Sequence, residues 1–373
     1  FTSVARRAGM STGALYARYE NVDELLLEVW LQRGLPALRR LIGEMQESLD
    51  THTGKQARRR IADMLRGPDP ELCLIAKILV IARRNDAVGE FVIPSTVDVI
   101  GKAVGDTPAF DLYLAQVLGI TVGVQGTGFV DLDWYGPISI VASSAREAKE
   151  AGILDATVPS IPEAAQSGVG LDDLDARLFG AVSRVISRVG IDHSTISRIA
   201  RHADINPASI YMRYDDKTAL LAACISHVMA ATYSQNKDLI EYFNSEPESA
   251  AEENQYLSAA GMFRGNQSPE HREIRLLRLE TMFGAAHHKD LQDIIRGVFT
   301  NILLTDQQSL GVHTDDTLLE AILPVLVFSR FSFFGLALLG EFGFVQASHA
   351  YVLPYVTNVN KRISSVAPSM PKS

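Results

Sequence analysis

Apolar residues recur along this chain with the 3.6-residue period of helices. Leu25, Leu26, Val29 and Trp30 share one face, and Leu220, Leu221, Cys224, Ile225 and Val228 share another. Leu174, Leu178, Val182, Val185 and Ile186 form a third stripe, with Arg177, Arg184 and Arg188 outside it. Val and Ile are frequent near 91–100, but strand runs with hairpin signals are missing elsewhere, so helix is the expectation there too. Two apolar stretches, 112–130 and 321–339, are long enough to span a bilayer. The first holds Gly119, Gly123, Gly126 and Gly128, the second is interrupted by Arg330, and neither has flanking anchors. Both read as helices buried among other helices. The expected fold is all-α, with no membrane partner.

The chain also repeats itself. Displaced by 195 positions, residues 1–26 lie over 196–221. The pairs Ala5/Ala200, Arg6/Arg201, Ala8/Ala203, Tyr16/Tyr211, Arg18/Arg213, Tyr19/Tyr214, Leu25/Leu220 and Leu26/Leu221 are identical; ordinary residue usage gives about two by chance. At a slightly larger offset, Leu65-Arg66-Gly67 resembles Phe263-Arg264-Gly265 and Pro70-Glu71 resembles Pro269-Glu270, as small loop insertions would produce. Residues 156–170 are rich in Pro, Ser, Gly and Ala and read as a linker. The expected organisation is a small domain at 1–30, a helical domain at 31–155, the linker, a second small domain at 171–222, a second helical domain at 223–363 and a tail at 364–373.

Each small domain carries a turn between two short helices. Residues 195–202 place Ile196, Ile199 and Ala200 on one face, and Asp204 tolerates the left-handed turn that follows. Asn206 suits an N-cap and Pro207 the first turn of a helix over 207–214; Asp215 or Asp216 can cap the next. In the first copy Gly9 is the turn residue, Ser11 the cap, and helices are expected over 2–8 and 12–19. This is the helix-turn-helix pattern, whose second helix enters the DNA major groove.

At these residues the chain resembles the TetR family of bacterial regulators. The matching runs are VARRAGMSTGALYARYENVDELL in the first half and IARHADINPASIYMRYDDKTALL in the second. The resemblance implies two TetR-like units fused in one chain. In each, a three-helix domain would bind double-stranded operator DNA, and a helical domain would take a small-molecule effector that releases it. Two departures stand out: Asp204 replaces the usual Gly, and Val22 replaces a Lys that the second copy keeps as Lys217. That Lys usually lies near DNA phosphate, so its loss should weaken the first copy. The opening helix of the first copy would precede Phe1, so the numbering is expected to begin inside a longer protein; in the second copy it is expected over 172–188.

Charge changes this picture only locally. The whole chain carries 35 Lys+Arg against 44 Asp+Glu, a net −9, which excludes a basic coat for nucleic acid. Arg184, Arg188, Arg198, Arg201, Arg213 and Lys217 nevertheless exceed Asp192, Asp204, Asp215 and Asp216 around the second turn. Arg6, Arg7 and Arg18 likewise exceed Glu20 in the first.

The candidate DNA contacts are Ser11, Thr12, Gly13, Tyr16, Arg18 and Tyr19 in the first copy. In the second they are Thr195, Asn206, Pro207, Ser209, Tyr211, Met212, Arg213, Tyr214 and Lys217. Several have a second reading. Ser11, Asn206 and Thr195 would serve as caps, Tyr16 and Tyr211 as core, and Arg18 and Arg213 as solvated charges. Candidate effector contacts are Leu79, Trp134, Tyr135, Met282, Phe283, Phe328, Phe331 and Phe334, each also at home in a core. His271, His287, His288 and His313 lack metal-ligand spacing, and no cofactor motif or nucleophile–base pattern is present, so no metal, cofactor or enzyme is expected. Cys73 and Cys224 read as free thiols in a reducing cytoplasm. The last helices of the two halves, 110–130 and 318–339, are expected to pack as a pseudo-dimer, with further homodimerisation open. The rival reading is a ligand-binding or interaction module with one or both DNA-binding arms decayed.

Overall fold

The computed structural model describes residues 2–107, 109–151, 171–244, 268–309, 317–345 and 349–366. Every regular element among them is helical. Nine α-helices precede residue 152 among the described residues: α1 (Thr2–Arg7), α2 (Thr12–Tyr16), α3 (Val22–Val29), α4 (Leu35–Ser48), α5 (Gly54–Leu65), α6 (Pro70–Ala82), α7 (Asp86–Asp106), α8 (Phe110–Thr127) and α9 (Tyr135–Ala151). After residue 170 come α10 (Asp173–His193), α11 (Ile196–Ala203), α12 (Pro207–Tyr211), α13 (Lys217–Asn244), α14 (Arg272–Ala285), α15 (Lys289–Ser309), α16 (Thr317–Gly340) and α17 (His349–Val366). The linker at 156–170, Phe1, His313, the Phe263-Arg264-Gly265 segment and the tail from 367 lie outside the described residues; 364–366 finish α17.

The order of helices repeats. A six-residue and a five-residue helix, α1 and α2, correspond to the eight-residue and five-residue α11 and α12. Next comes a long helical passage. In the first half α3 runs through a π-helical turn, Trp30–Gly34, into α4; in the second it is α13 alone. The domain boundaries expected at 30/31 and 222/223 fall inside these helical passages, not in loops. The Pro70 and Pro269 repeats mark equivalent helix starts: Asp69 caps α6, and Pro269 opens a 3-10 turn leading into α14. The Val- and Ile-rich stretch near 91–100 is helix, within α7.

The core runs through the meeting of α8 with α16. Every residue of α8 except Gln125 is buried, as its lack of any polar face demands. Gly119 and Gly335 bring the two backbones together: a Cβ on Gly119 would stand 2.9 Å from Gly335 N, and one on Gly335 2.8 Å from Gly119 N. Gly123 makes room for the Phe331 ring and Gly126 for Met282. Polar groups close the ends. Gln292 Nε2 and Arg296 Nε donate to the Gln125 and Thr127 carbonyls at 2.9 and 2.8 Å, at the C-terminus of α8. Asp111, in its first turn, accepts Val345 N–H at 2.7 Å. Beside this pair α9 packs on α17, with Asn358 Nδ2 donating to Ser144 Oγ at 3.2 Å. By length and composition Leu323–Gly340 would pass for a membrane span, but 72% of it is buried inside the protein.

Candidate nucleic-acid interface

The second helix-turn-helix is fixed by caps. Asp172 caps α10 by accepting Asp175 N–H at 2.9 Å. The helical path breaks at Gly190, whose φ of 73° and ψ of 173° suit glycine. Thr195 Oγ1 accepts Arg198 N–H at 3.2 Å to start α11. Asp204 ends α11 in the left-handed region, φ 54°, which is why Asp serves where the family pattern has Gly. Asn206 Oδ1 accepts Ala208 N–H at 2.9 Å to start α12, and of the two candidate aspartates Asp216 caps α13, accepting Ala219 N–H at 2.8 Å. α12 is shorter than expected: it ends at Tyr211, and residues 212–214 turn away.

Packing sorts the side chains. Ile196, Ile199, Ala200, Ala203 and Ile210 are buried, as are Leu220 and Leu221. Tyr211 is 57% exposed and Met212 83% exposed, so Tyr211 does not fill the core. Asn206 and Pro207 are exposed and Ser209 half-buried. Arg213 is occupied within the domain: Nη2 pairs with Asp172 at 2.7 Å and also with Asp175. Tyr214 donates its hydroxyl proton to Asp175 at 2.8 Å. Lys217 Nζ donates to the Ile191 carbonyl at 2.8 Å, and partial burial lowers its pKa. The face left open by these pairings therefore centres on Asn206, Pro207, Tyr211 and Met212, with Thr195 exposed at the start of α11.

Two supports were not singled out from the sequence. Arg177 donates to the Ala203 and Asp204 carbonyls, each at 2.7 Å, and so ties α10 to the turn. Asp175 gathers Arg213 and Tyr214. For the second the signal is spacing, since Asp172 and Asp175 lie one turn apart and both meet Arg213.

The first copy has the same turn. Gly9 has φ 65°, and Ser11 Oγ accepts Ala14 N–H at 3.1 Å. α2 ends at Tyr16, shorter than the 12–19 expected. Ala5 and Leu15 are buried while Tyr16 is 61% exposed. Ser11 and Gly13 are exposed, and Thr12 and Tyr19 half-buried. Arg18 reaches Glu28 at 3.9 Å and lies 5.6 Å from the Tyr19 ring centroid. Val22 begins α3 behind an Asn21 cap and is itself exposed.

The candidate effector contacts are scattered. Leu79 and Trp134 are fully buried in the first half, and Tyr135 lies under the Arg59 guanidinium, 4.4 Å from ring centroid to cation. Phe331 and Phe334 form an aromatic cluster with Phe299, and Phe328 is buried nearby. Phe283 sits edge-on to His287, ring centroids 5.9 Å apart. Met282 lines a cavity between α13, α14 and α15. Near it, at the Gly190 break, the two halves meet through charge. Arg83, from the end of α6, pairs with the buried Glu280 and donates to the Ser187 carbonyl at 2.9 Å. Arg84 donates to the Val189 carbonyl and approaches Glu280 at 3.6 Å. His288 meets Asp192 at 2.6 Å. No group of metal-ligating side chains occurs among the described residues.

Compared with known families, residues 180–224 match the one described as bacterial regulatory proteins, tetR family. The match runs from inside α10, through α11 and α12, into α13. No curated protein matches the chain. The segment with the exposed α12 is thus similar to the DNA-binding segment of tetR-family bacterial regulatory proteins.

Proposed function

We propose that this chain is a TetR-type transcriptional repressor in which two units are joined covalently, and that a small apolar effector releases it from operator DNA. One observation carries the proposal: within the matched residues 180–224, α12 and its two flanking residues present Asn206, Pro207, Tyr211 and Met212 to solvent. Support for the second unit comes from the repeat at 1–26, the same order of helices in both halves and the glycine contact of α8 with α16. In a pseudo-dimer of this kind the two recognition helices would lie about one DNA turn apart, ~34 Å. They differ in sequence, STGALYARY against NPASIYMRY, so the operator would have two unlike half-sites. The protein would act by binding, in the cytoplasm, without catalysis; Cys73 and Cys224, both free thiols, accord with a reducing compartment.

Release follows from linkage. α13 begins at the DNA-binding domain with Lys217 and continues past Ile225, Val228 and Met229, which line the cavity. A ligand that prefers a different placement of α13 lowers DNA affinity by its differential binding. The rival reading, a ligand-binding or interaction module with one or both DNA-binding arms decayed, draws on Val22, which stands where the second copy keeps Lys217.

The test is selection from random duplex DNA with the purified chain. Recovery of a site with two unlike halves supports the proposal. A perfect palindrome bound by one chain removes the two-helix reading, and failure to enrich any sequence at low salt removes the regulator reading altogether.

A further inference from the structure

The cavity between α13, α14 and α15 has an unusual wall. Ile225, Val228, Leu277, Ile295 and Phe299 are apolar. Arg278 and Thr281 of α14 also border this space, three residues apart and therefore on one helix face. Arg278 Nε is sealed from solvent and makes no hydrogen bond, and the buried Thr281 Oγ1 is also without a partner. No carboxylate pairs with Arg278 among the described residues: Glu280 is taken by Arg83 and Arg84, and Glu341 by Arg272. Its guanidinium lies over the Phe334 ring, 6.0 Å from the centroid. Burial and the nearby Arg330 push its pKa down to about 10, so it remains a cation at neutral pH.

A buried N–H and a buried O–H without partners are each costly, and each such group in a folded protein calls for a reason. A guanidinium N–H and a hydroxyl O–H one turn apart together suit the two oxygens of a carboxylate. The remaining wall offers no further charge and suits a hydrocarbon body. About 310 Å³ of the space is free of protein atoms, part of it open to solvent. The enclosed part takes little more than a water molecule unless the walls part. Part of the Arg278 side chain remains accessible, as an anchor must.

We infer that this cavity is a binding site for a small apolar monocarboxylate, a short aliphatic or aryl acid, anchored by Arg278 with Thr281. As the effector site the inference rests on the regulator reading above; as a binding site it does not. Because the walls must separate to admit the hydrocarbon, and one wall is α13, occupancy would shift the helix that enters the DNA-binding domain.

The experiment uses the full chain with sodium octanoate and sodium phenylacetate, compared with 1-octanol, methyl phenylacetate and sodium phosphate. Binding is followed by calorimetry and by thermal denaturation. At least one carboxylate should bind and raise Tm, while its uncharged counterpart and phosphate bind at least tenfold more weakly. Arg278→Met, which exchanges a buried cation for an apolar chain of similar length, should fold with an unchanged or higher Tm and lose at least tenfold in carboxylate affinity. Thr281→Val should lose less. The inference is overturned if neither acid binds, if the neutral analogues bind equally well, or if Arg278→Met binds as the parent does. DNA affinity of the selected duplex is measured separately, with and without the acid. Carboxylate binding that leaves DNA affinity unchanged upholds the site and removes its role as effector site. DNA binding by a chain that binds neither acid in calorimetry upholds the regulator and removes the site.

Discussion

The Cα of Gly335 lies against the carbonyl of Ala115, so close that a Cβ on residue 335 would overlap that oxygen. The obstacle is backbone, not a side chain that could rotate away. Gly335→Ala must therefore push α16 off α8 along the most buried surface of the protein. Overpacking of this kind costs about 1–3 kcal/mol and sometimes more. We expect Gly335→Ala to lower the urea midpoint at unchanged pH and to weaken the hold between the halves. Gly340→Ala, on the same helix but with open space at the Cβ position, should be neutral or slightly stabilising. Equal urea midpoints for the two variants would remove the close-approach argument.

Tyr211 and Tyr16 are repeat partners, and both stand exposed on their second helices. Exposed side chains away from cores and caps change stability by about 0.5 kcal/mol or less. Tyr211→Ala should leave Tm nearly unchanged and weaken binding to the selected duplex about tenfold, roughly 1.4 kcal/mol. Tyr16→Ala should do the same at the other half-site if the first copy contacts DNA. A loss confined to Tyr211→Ala would identify the first arm as silent, and it is read by fluorescence anisotropy with half-site mutants.

Much of this was legible in the sequence because the deciding interactions are local. Ser11, Asn206, Gly9 and Asp204 declare a cap or a left-handed turn through their own side chains or lack of one. The glycines of α8 announced a close helix contact, though not that Gly335 would answer Gly119. The fates of Arg213 and Lys217 were not legible, since each is set by a group distant in sequence: Asp172 and Asp175 for one, the Ile191 carbonyl for the other. The Arg83–Glu280 pair joins residues of different halves and leaves no periodic trace. Arg278 was equally hidden: nothing in the run REIRLLRLE tells which arginine goes unpaired.

Arg213 separates a phosphate contact from an internal tie. A cation that neutralises one phosphate contributes about 0.9 to the slope of log K against log salt. Arg213 is engaged with Asp172 and Asp175, so Arg213→Ala should reduce DNA affinity and domain stability while leaving that slope unchanged. Binding isotherms at several salt concentrations decide it. A slope reduced by about one charge at full stability would make Arg213 a phosphate ligand.

The same cluster gives the domain an acid limb. The Asp172 pKa is lowered, first by the N–H of Asp175 and then by Arg213. A carboxylate whose folded pKa lies below its unfolded value, about 3.9, stabilises the fold above that value. The contribution is lost as pH falls through the lower, folded pKa. Asp172→Asn keeps a good cap and removes only the charge. The parent should be the more stable above about pH 4, and the difference should shrink toward zero as the pH is lowered further. Chemical denaturation of both proteins across that range is the measurement, and a difference that stays constant with pH would assign the effect to the cap.

Gly190 stands where α10 gives way to the turn before α11, with φ 73° and ψ 173°. Residues with a Cβ seldom adopt that conformation, and enforcing it costs about 1–3 kcal/mol. A Cβ there would also overlap the Arg84 guanidinium, which is held by the Val189 carbonyl and lies beside Glu280. Gly190→Ala therefore acts twice, on the backbone and on the charged contact between the halves. We expect a lower Tm and weaker DNA binding, because the turn sets how α11 and α12 are carried on α10. The double variant Gly190→Ala, Arg84→Met distinguishes the two costs. If backbone strain dominates, removing the guanidinium restores little; if the overlap dominates, it restores most of the lost stability. Arg83 still faces Glu280 in that variant, so the buried carboxylate keeps a cation beside it. Full tolerance of Gly190→Ala, in both melting and DNA binding, would mean that the break at residue 190 has no part in positioning the DNA-binding helices.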